Sequence, residues 1–124
     1  MEVILPADCG NAPRMVIVGD FIANWASGDH EALSTWLSED ASWTLVGTGT
    51  YTGPGSARDA IPQQSPDRLV LQSIVTHGRL ASCDGYLQNG PDRTPFSQAI
   101  RFAGATKSAK IAEIRTYMIA REGT

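Results

Sequence analysis

Residues 68–119, RLVLQSIVTHGRLASCDGYLQNGPDRTPFSQAIRFAGATKSAKIAEIRTYMI, contain the pattern that decides the fold. Runs in which apolar and polar residues alternate follow one another along this stretch, and short segments with glycine separate them. Alternation of this kind is typical of β-strands, and short turns between consecutive strands predict antiparallel hairpins. We therefore predict a meander of four strands, at residues 68–76, 80–88, 95–102 and 110–119.

The residues before this meander predict mainly helices. Between Asn11 and Gly28 the apolar residues recur at the spacing of three and four that is typical of an amphipathic helix, and the glycine ends it. Asp29 is a candidate cap for a second helix. The other predicted elements are helices at 30–37 and 56–61 and short strands at 41–46 and 48–52. Helices followed by long antiparallel strands predict an α+β fold, with the helices on one face of a curved antiparallel sheet.

Composition narrows the class of protein. The 124 residues without a linker predict one domain, 1–124. Ten Lys and Arg are scattered among thirteen Asp and Glu, so the basic patch that a nucleic-acid partner requires is missing. No apolar stretch approaches the roughly 20 residues that cross a bilayer, and residues 1–10 do not resemble a signal peptide. We therefore expect a cytoplasmic protein that binds neither nucleic acid nor membrane.

The alternation of the last two strands indicates which side chains face the helices. Phe96, Gln98, Ile100 and Phe102 share the inward face of the third strand of the meander. In the fourth strand the predicted inward residues are Ala112, Ile114, Thr116 and Met118. Gln98 is the strongly polar residue on its otherwise apolar face, which makes it the first candidate for contact with a ligand.

The sequence resembles the nuclear transport factor 2-like superfamily, in its SnoaL-like and ketosteroid-isomerase-like branch. The resemblance is carried by WASGDHEALSTWLSEDASWTLVGTGTYTG at 25–53, the helix GSARDAI at 55–61, and strands ending in FSQAIRFAG and KIAEIRTYMI. It implies a cone-shaped fold, in which a strongly bent antiparallel sheet wraps around the N-terminal helices and encloses an apolar pocket. It also implies a homodimer formed through the outer face of the sheet.

The chain departs from the ketosteroid isomerases at the positions that matter for their chemistry. Those enzymes use a carboxylate base together with a tyrosine and a protonated aspartic acid that bind the developing oxyanion. The resemblance puts Leu45 at the position of the base, Phe21 at that of the tyrosine and Gln98 at that of the aspartic acid. Because leucine cannot accept a proton, isomerisation by that mechanism is disfavoured.

The predicted ligand-binding residues lie around this pocket. They are Phe21, Asn24, Trp43, Leu45, Gln98, Ile100, Thr116 and Met118. Two carboxylates are candidates for proton transfer. Asp20 is a candidate if its flank of the first helix faces the pocket. The alternative is that it lies on a solvated helix face, or that it pairs with Arg14 or with an arginine of a strand. Asp84 serves if a bulge at Gly85 turns it inward, since plain alternation directs it outward.

We expect neither a metal nor a cofactor. His30 and His77 have no carboxylate at ligand spacing, and Cys9 and Cys83 lie in no metal-binding or redox motif, so both thiols are expected to be free. On the outer face of the sheet, Arg101, Glu113, Arg115 and Tyr117 form a patch that suits a two-fold interface between copies of the chain.

Three functions stay open at this point. The first is a cofactor-independent isomerase, cyclase or hydrolase that acts on an apolar carbonyl or polyketide-like substrate. The second is a non-catalytic module that binds a small apolar molecule in the same pocket. The third is a dimeric interaction module whose pocket is filled by Phe21, Trp43 and Met118. Only the first function requires a proton-transfer group in the pocket.

Overall fold

The computed structural model describes residues 1–7 and 12–119, so Cys9 and Asn11 lie outside the described residues. Within them the chain forms three helices: α1 (Pro13–Ser27), α2 (His30–Ser34) and α3 (Ser56–Ala60). The strands are β1 (Glu2–Ile4), β2 (Leu37–Leu45), β3 (Gly49–Thr52), β4 (Arg68–His77), β5 (Leu80–Asn89), β6 (Asp92–Phe102) and β7 (Ile111–Met118). The predicted α+β class is confirmed.

The strands form one curved seven-stranded sheet in the order β1-β4-β5-β6-β7-β2-β3. The meander β4 to β7 is antiparallel throughout, as predicted. The sheet as a whole is mixed, because β1 runs parallel to β4 and β2 runs parallel to β7. Alternation along a strand indicates its two faces, but it does not indicate which distant strand becomes its neighbour.

The second helix is shorter than predicted. It ends at Ser34, and Leu37 begins β2, whereas the apolar spacing predicted a helix to residue 37. The backbone after the helix bonds to the last strand instead, since the amide of Ile111 donates to the carbonyl of Trp36 at 2.7 Å. The predicted cap is confirmed, because the Asp29 carboxylate accepts from the amide of Ala32 at 3.1 Å. Strand β1 was not predicted.

A bulge lies where β4 faces Gly85. Leu71 is paired with Gly85 and Ser73 with Asp84, so β4 carries the extra residue Gln72 between them. A Cβ atom added at Gly85 would lie 1.9 Å from the carbonyl oxygen of Val70. Glycine is therefore required for the close approach of the two backbones at this bulge.

A second irregularity changes which residues of β7 face the core. Arg101 pairs with Glu113 but Phe102 pairs with Ile111, so β7 has Ala112 as an extra residue. Ile111 is consequently buried and Ala112 is only half-buried, which corrects the inward position predicted for Ala112. From Glu113 onward the predicted alternation holds as far as Thr116.

The core lies between α1 and the inner face of the sheet. Val18, Phe21, Ile22 and Trp25 form the buried stripe of α1, at the spacing of three and four that the sequence predicted. The Trp25 indole donates to the carbonyl of Ala60 at 2.9 Å, which connects α1 to the end of α3. Among the residues that the structure describes, no helix has the length and apolarity needed to span a membrane.

Candidate functional site

A chain of hydrogen bonds connects three buried side chains from neighbouring strands. The indole Nε1 of Trp43 donates to the hydroxyl of Thr116 at 2.9 Å. The Thr116 hydroxyl donates in turn to the amide oxygen of Gln98 at 2.5 Å. These residues come from β2, β7 and β6, which are adjacent in the sheet, and their side chains all face inward. The structure thus brings together three of the eight predicted ligand-binding residues through direct hydrogen bonds.

The amide nitrogen of Gln98 has no hydrogen-bond partner among the described residues. Gln98 is fully buried, so solvent does not satisfy this NH2 group. A buried donor without an acceptor costs roughly 1–3 kcal/mol of folding free energy, which is why such groups are rare in native proteins. Ser56, whose hydroxyl is also buried without a partner in the described chain, lies on α3, whereas the unpaired nitrogen of Gln98 lies among the predicted ligand-binding residues and can take an additional hydrogen-bond acceptor as its partner.

Two aromatic rings pack against each other in the buried core. The ring of Phe21 on α1 stacks on that of Trp43, with the centroids 5.7 Å apart. Both side chains are buried in the same apolar cluster as Ile100. The hydrogen-bonded residues Trp43, Thr116 and Gln98 therefore lie in an apolar and aromatic part of the core.

The other predicted ligand-binding residues are more exposed. Asn24 and Leu45 are half-buried, and Leu45 packs against the core cluster. Met118 is 39% exposed, although it follows Thr116 on the inward side of β7. Met118 is thus more exposed than expected for a residue that fills the interior.

Neither candidate carboxylate lies beside Gln98. Asp20 is exposed on α1, and its considered partner Arg14 instead donates to the carbonyl of Thr106 at 2.8 Å. Asp84 is exposed on β5 and accepts a hydrogen bond from the hydroxyl of Ser73. The bulge at Gly85 lies in β4, so it leaves Asp84 on the outer face.

Sequence reasoning missed Cys83 as a neighbour of the site. Cys83 pairs directly with Gln98 across β5 and β6, and it is a buried, free thiol. Burial, with a smaller contribution from the negative charge of Asp84, raises its pKa to about 12. The thiol is therefore protonated at neutral pH. The pairing depends on the register of β5 and β6, which the structure fixes through a two-residue turn and which alternation alone does not give.

Titratable groups do not cluster for metal binding in the described parts of the chain. No three His, Cys, Asp or Glu side chains there come close enough to hold an ion. The buried polar residues in the same range are Ser56, Gln98 and Thr116. The interior thus offers hydroxyl and amide groups, which form hydrogen bonds but do not take up a proton near neutral pH.

No family model matches the sequence, and no curated protein matches it significantly. Solved structures do match. A "putative ketosteroid isomerase" from Kribbella flavida has a TM-score of 0.68 at 14% identity, covering 90% of this chain and 81% of that one. A "putative SnoaL-like polyketide cyclase" from Shewanella putrefaciens has a TM-score of 0.68 at 14% identity, covering 90% of this chain and 84% of that one.

A third crystal structure supplies the name of the fold. It is a nuclear transport factor 2-like protein of unknown function from Burkholderia xenovorans, with a TM-score of 0.67, 13% identity and 91% of each chain covered. This chain has the nuclear transport factor 2-like fold. The resemblance stated from the sequence is therefore confirmed for the fold. At these identities the match does not transfer an activity, because this fold carries unrelated functions.

The outer face of this nuclear transport factor 2-like sheet carries two rows of cross-strand neighbours. One row consists of Val75, Ser82, Ala99 and Arg115, and the next of His77, Leu80, Arg101 and Glu113. These residues line a surface cavity of about 320 Å³. Val75 is 58% and Leu80 46% exposed, so large apolar side chains face solvent here.

The predicted charged patch lies on this same face. The Glu113 carboxylate lies 2.8 Å from the guanidinium of Arg115 and 3.7 Å from that of Arg101. Hydrogen bonding to Tyr117, together with the charge of Glu113, raises the pKa of Arg115. The patch thus combines charges of both signs with exposed apolar residues.

Proposed function

We propose that this protein is a non-catalytic module that binds a small, uncharged and largely apolar molecule against the amide of Gln98. The observation that carries this proposal is the buried, unpaired Gln98 nitrogen among the described residues. A ligand with a hydrogen-bond acceptor would remove the cost of that unpaired donor, while the rings of Phe21 and Trp43 would contact its apolar part. The likeness to a SnoaL-like cyclase and a ketosteroid isomerase supports a small-molecule site in this region of the fold.

Two observations favour binding over acid–base catalysis. The position that the resemblance assigns to the isomerase base is Leu45, which cannot accept a proton. The titratable group nearest to Gln98 in the strand pairing is Cys83, whose raised pKa of about 12 keeps it neutral. An efficient general base needs a pKa near the working pH. Gln98 can therefore orient a carbonyl group without completing a proton transfer.

The ligand reaches this position through the more exposed inward residues. Gln98 itself has no exposed surface, and Phe21 and Trp43 are stacked and buried, so binding requires side chains to move. Leu45 is half-buried and lies two residues after Trp43 on β2. Met118 is exposed and lies two residues after Thr116 on β7. We propose that these two side chains form the entrance.

A thermal-shift screen tests the proposal. The compounds are steroids, polyketide-like aromatics, terpene epoxides and short acyl compounds, each offered to the wild type, Gln98→Leu and the control Gln72→Leu, which replaces an exposed glutamine of β4. A ligand at about 100 times its Kd should stabilise the fold by roughly 2.7 kcal/mol, which raises the Tm of a domain of this size by about 10 °C. We expect the wild type and Gln72→Leu to respond to the same compound and Gln98→Leu to lose the response. A wild type that responds to no compound, or a response that survives in Gln98→Leu, contradicts the proposal.

We also propose that two copies of the chain associate through the outer face of the sheet. The exposed Val75 and Leu80 would be removed from water, and Glu113 lies between two arginines in a patch that can pair with its own copy. Burial of apolar area supplies the favourable free energy, while the charges fix the relative orientation.

Light scattering measures this association. We expect the wild type to have twice the 13.3 kDa mass of one chain, and Leu80→Glu to have the mass of a single chain. Val16→Glu is the matched control, because Val16 is 47% exposed but lies on α1, away from the sheet face. A monomeric wild type, or a Leu80→Glu variant that stays dimeric, excludes this interface.

A further inference from the structure

We infer that Thr116, held by Trp43, fixes the orientation of the Gln98 amide so that the site presents only hydrogen-bond donors. The ligand is then an uncharged molecule whose polar group is an acceptor, such as the oxygen of a ketone, ester or epoxide. This inference rests on the proposed function and adds to it the polarity of the ligand. It also assigns to Thr116 and Trp43 a positioning role toward Gln98.

The donor and the acceptor of both hydrogen bonds follow from the indole of Trp43. An indole Nε1–H can only donate, and its acceptor is the Thr116 hydroxyl at 2.9 Å. A threonine hydroxyl carries a single proton, which is then free to be donated to the Gln98 oxygen at 2.5 Å. With its oxygen occupied in this way, the amide directs its nitrogen away from Thr116, and this NH2 group is the unpaired one.

If the side-chain amide of Gln98 were turned by about 180°, fewer polar groups would have hydrogen-bond partners. If the Gln98 nitrogen faced Thr116, the hydroxyl oxygen would accept from both Gln98 and Trp43, using its two lone pairs. The hydroxyl proton would then lose its acceptor, and the Gln98 oxygen would lose its donor. Because each buried polar group left unpaired is unfavourable, the observed orientation is the stable one.

This orientation selects among ligands. An acceptor oxygen pairs with the Gln98 nitrogen, whereas a donor group would oppose the amide hydrogens and remain unpaired. An anion is disfavoured as well, because the fully buried residues in the described chain include no charged side chain to neutralise it. The oxygen of an otherwise apolar molecule is therefore the group that fits.

Three bicyclic probes of similar size separate these cases: indanone, which only accepts, indole, which only donates, and indane, which does neither. Their dissociation constants are measured on the wild type, Thr116→Val and Thr116→Ser. Valine keeps the shape of threonine without the hydroxyl, and serine keeps the hydroxyl. We expect the wild type to bind indanone at least about tenfold more tightly than indole. Thr116→Val should bind the two with similar affinity, because the amide is free to reverse, and Thr116→Ser should restore the preference.

The outcomes separate this inference from the proposed function. Equal affinity of the wild type for indanone and indole overturns the inference and leaves ligand binding standing. Binding of none of the probes to the wild type overturns both. A Thr116→Val variant that folds and keeps the preference for indanone overturns the positioning role of Thr116. If that variant does not fold, the preference of the wild type for indanone over indole still tests the inference. The same preference in Thr116→Ser then tests the role of the hydroxyl.

Discussion

Replacing Gly85 with alanine should cost at least about 3 kcal/mol of unfolding free energy, which is a large part of the roughly 5–15 kcal/mol by which native domains are stable. The added Cβ would lie 1.9 Å from the Val70 oxygen and 3.0 Å from the Leu71 Cα, both of which are backbone atoms. Backbone atoms cannot turn away as the end of a side chain can, so β4 and β5 must separate at the bulge. Cys83, which pairs with Gln98, lies two residues away on β5.

Urea denaturation of Gly85→Ala and of Gly55→Ala measures this effect. Gly55 is the control because its φ is −67° and a Cβ there meets nothing within 4 Å. We expect Gly55→Ala to match the wild type or to exceed it by about 0.4–1 kcal/mol, since alanine restricts the unfolded chain. A Gly85→Ala variant as stable as Gly55→Ala would show that the two strands are not in close contact at this bulge.

Raising the pH above 9 should destabilise the protein through Cys83. In the unfolded chain the thiol has its ordinary pKa of 9.0, whereas burial raises the folded pKa to about 12. Above pH 9 the unfolded state therefore binds fewer protons than the folded state, and stability falls as the pH rises. The loss from this residue is about 1 kcal/mol by pH 10 and grows to a few kcal/mol, roughly 4, by pH 12.

Comparison with Cys83→Ala isolates this contribution. All other ionisable residues are common to the two proteins, so the difference between the two unfolding free energies reports the thiol. We expect this difference to be constant below pH 8. As the pH rises to 10, the wild type should lose stability relative to Cys83→Ala. Parallel pH profiles for the two proteins would mean that Cys83 is not buried as a neutral thiol.

The strands of the meander and their faces could be predicted because a single periodicity encodes them. Alternation placed Gln98 and Thr116 inward and Arg101 and Tyr117 outward, and the structure agrees at each position. The parallel pairing of β2 with β7 could not be predicted, because it joins segments far apart in the sequence through backbone groups that every residue shares. The bulge that turns Ile111 inward escaped prediction for the same reason.

The candidate site was predictable only in part. Gln98 stood out as a polar residue on an apolar face, and the structure buries it completely, as predicted for an inward residue. The order of the hydrogen bonds from Trp43 through Thr116 depends on distances that no sequence pattern contains. Asp20 was a candidate because it interrupts an apolar run. On a helix, however, a shift of one residue turns a side chain by about 100°, and Asp20 lies on the exposed side.

The central claim, that the Gln98 amide donates to a ligand, is tested most directly by nuclear magnetic resonance. Protein labelled with ¹⁵N is titrated with indanone, and the Gln98 side-chain NH2 signal is assigned by its loss in Gln98→Leu. The account predicts that this signal moves downfield and saturates with the same dissociation constant as the Trp43 indole signal, because one chain of hydrogen bonds connects them. A Gln98 signal that stays in place while indanone shifts resonances elsewhere would contradict the account.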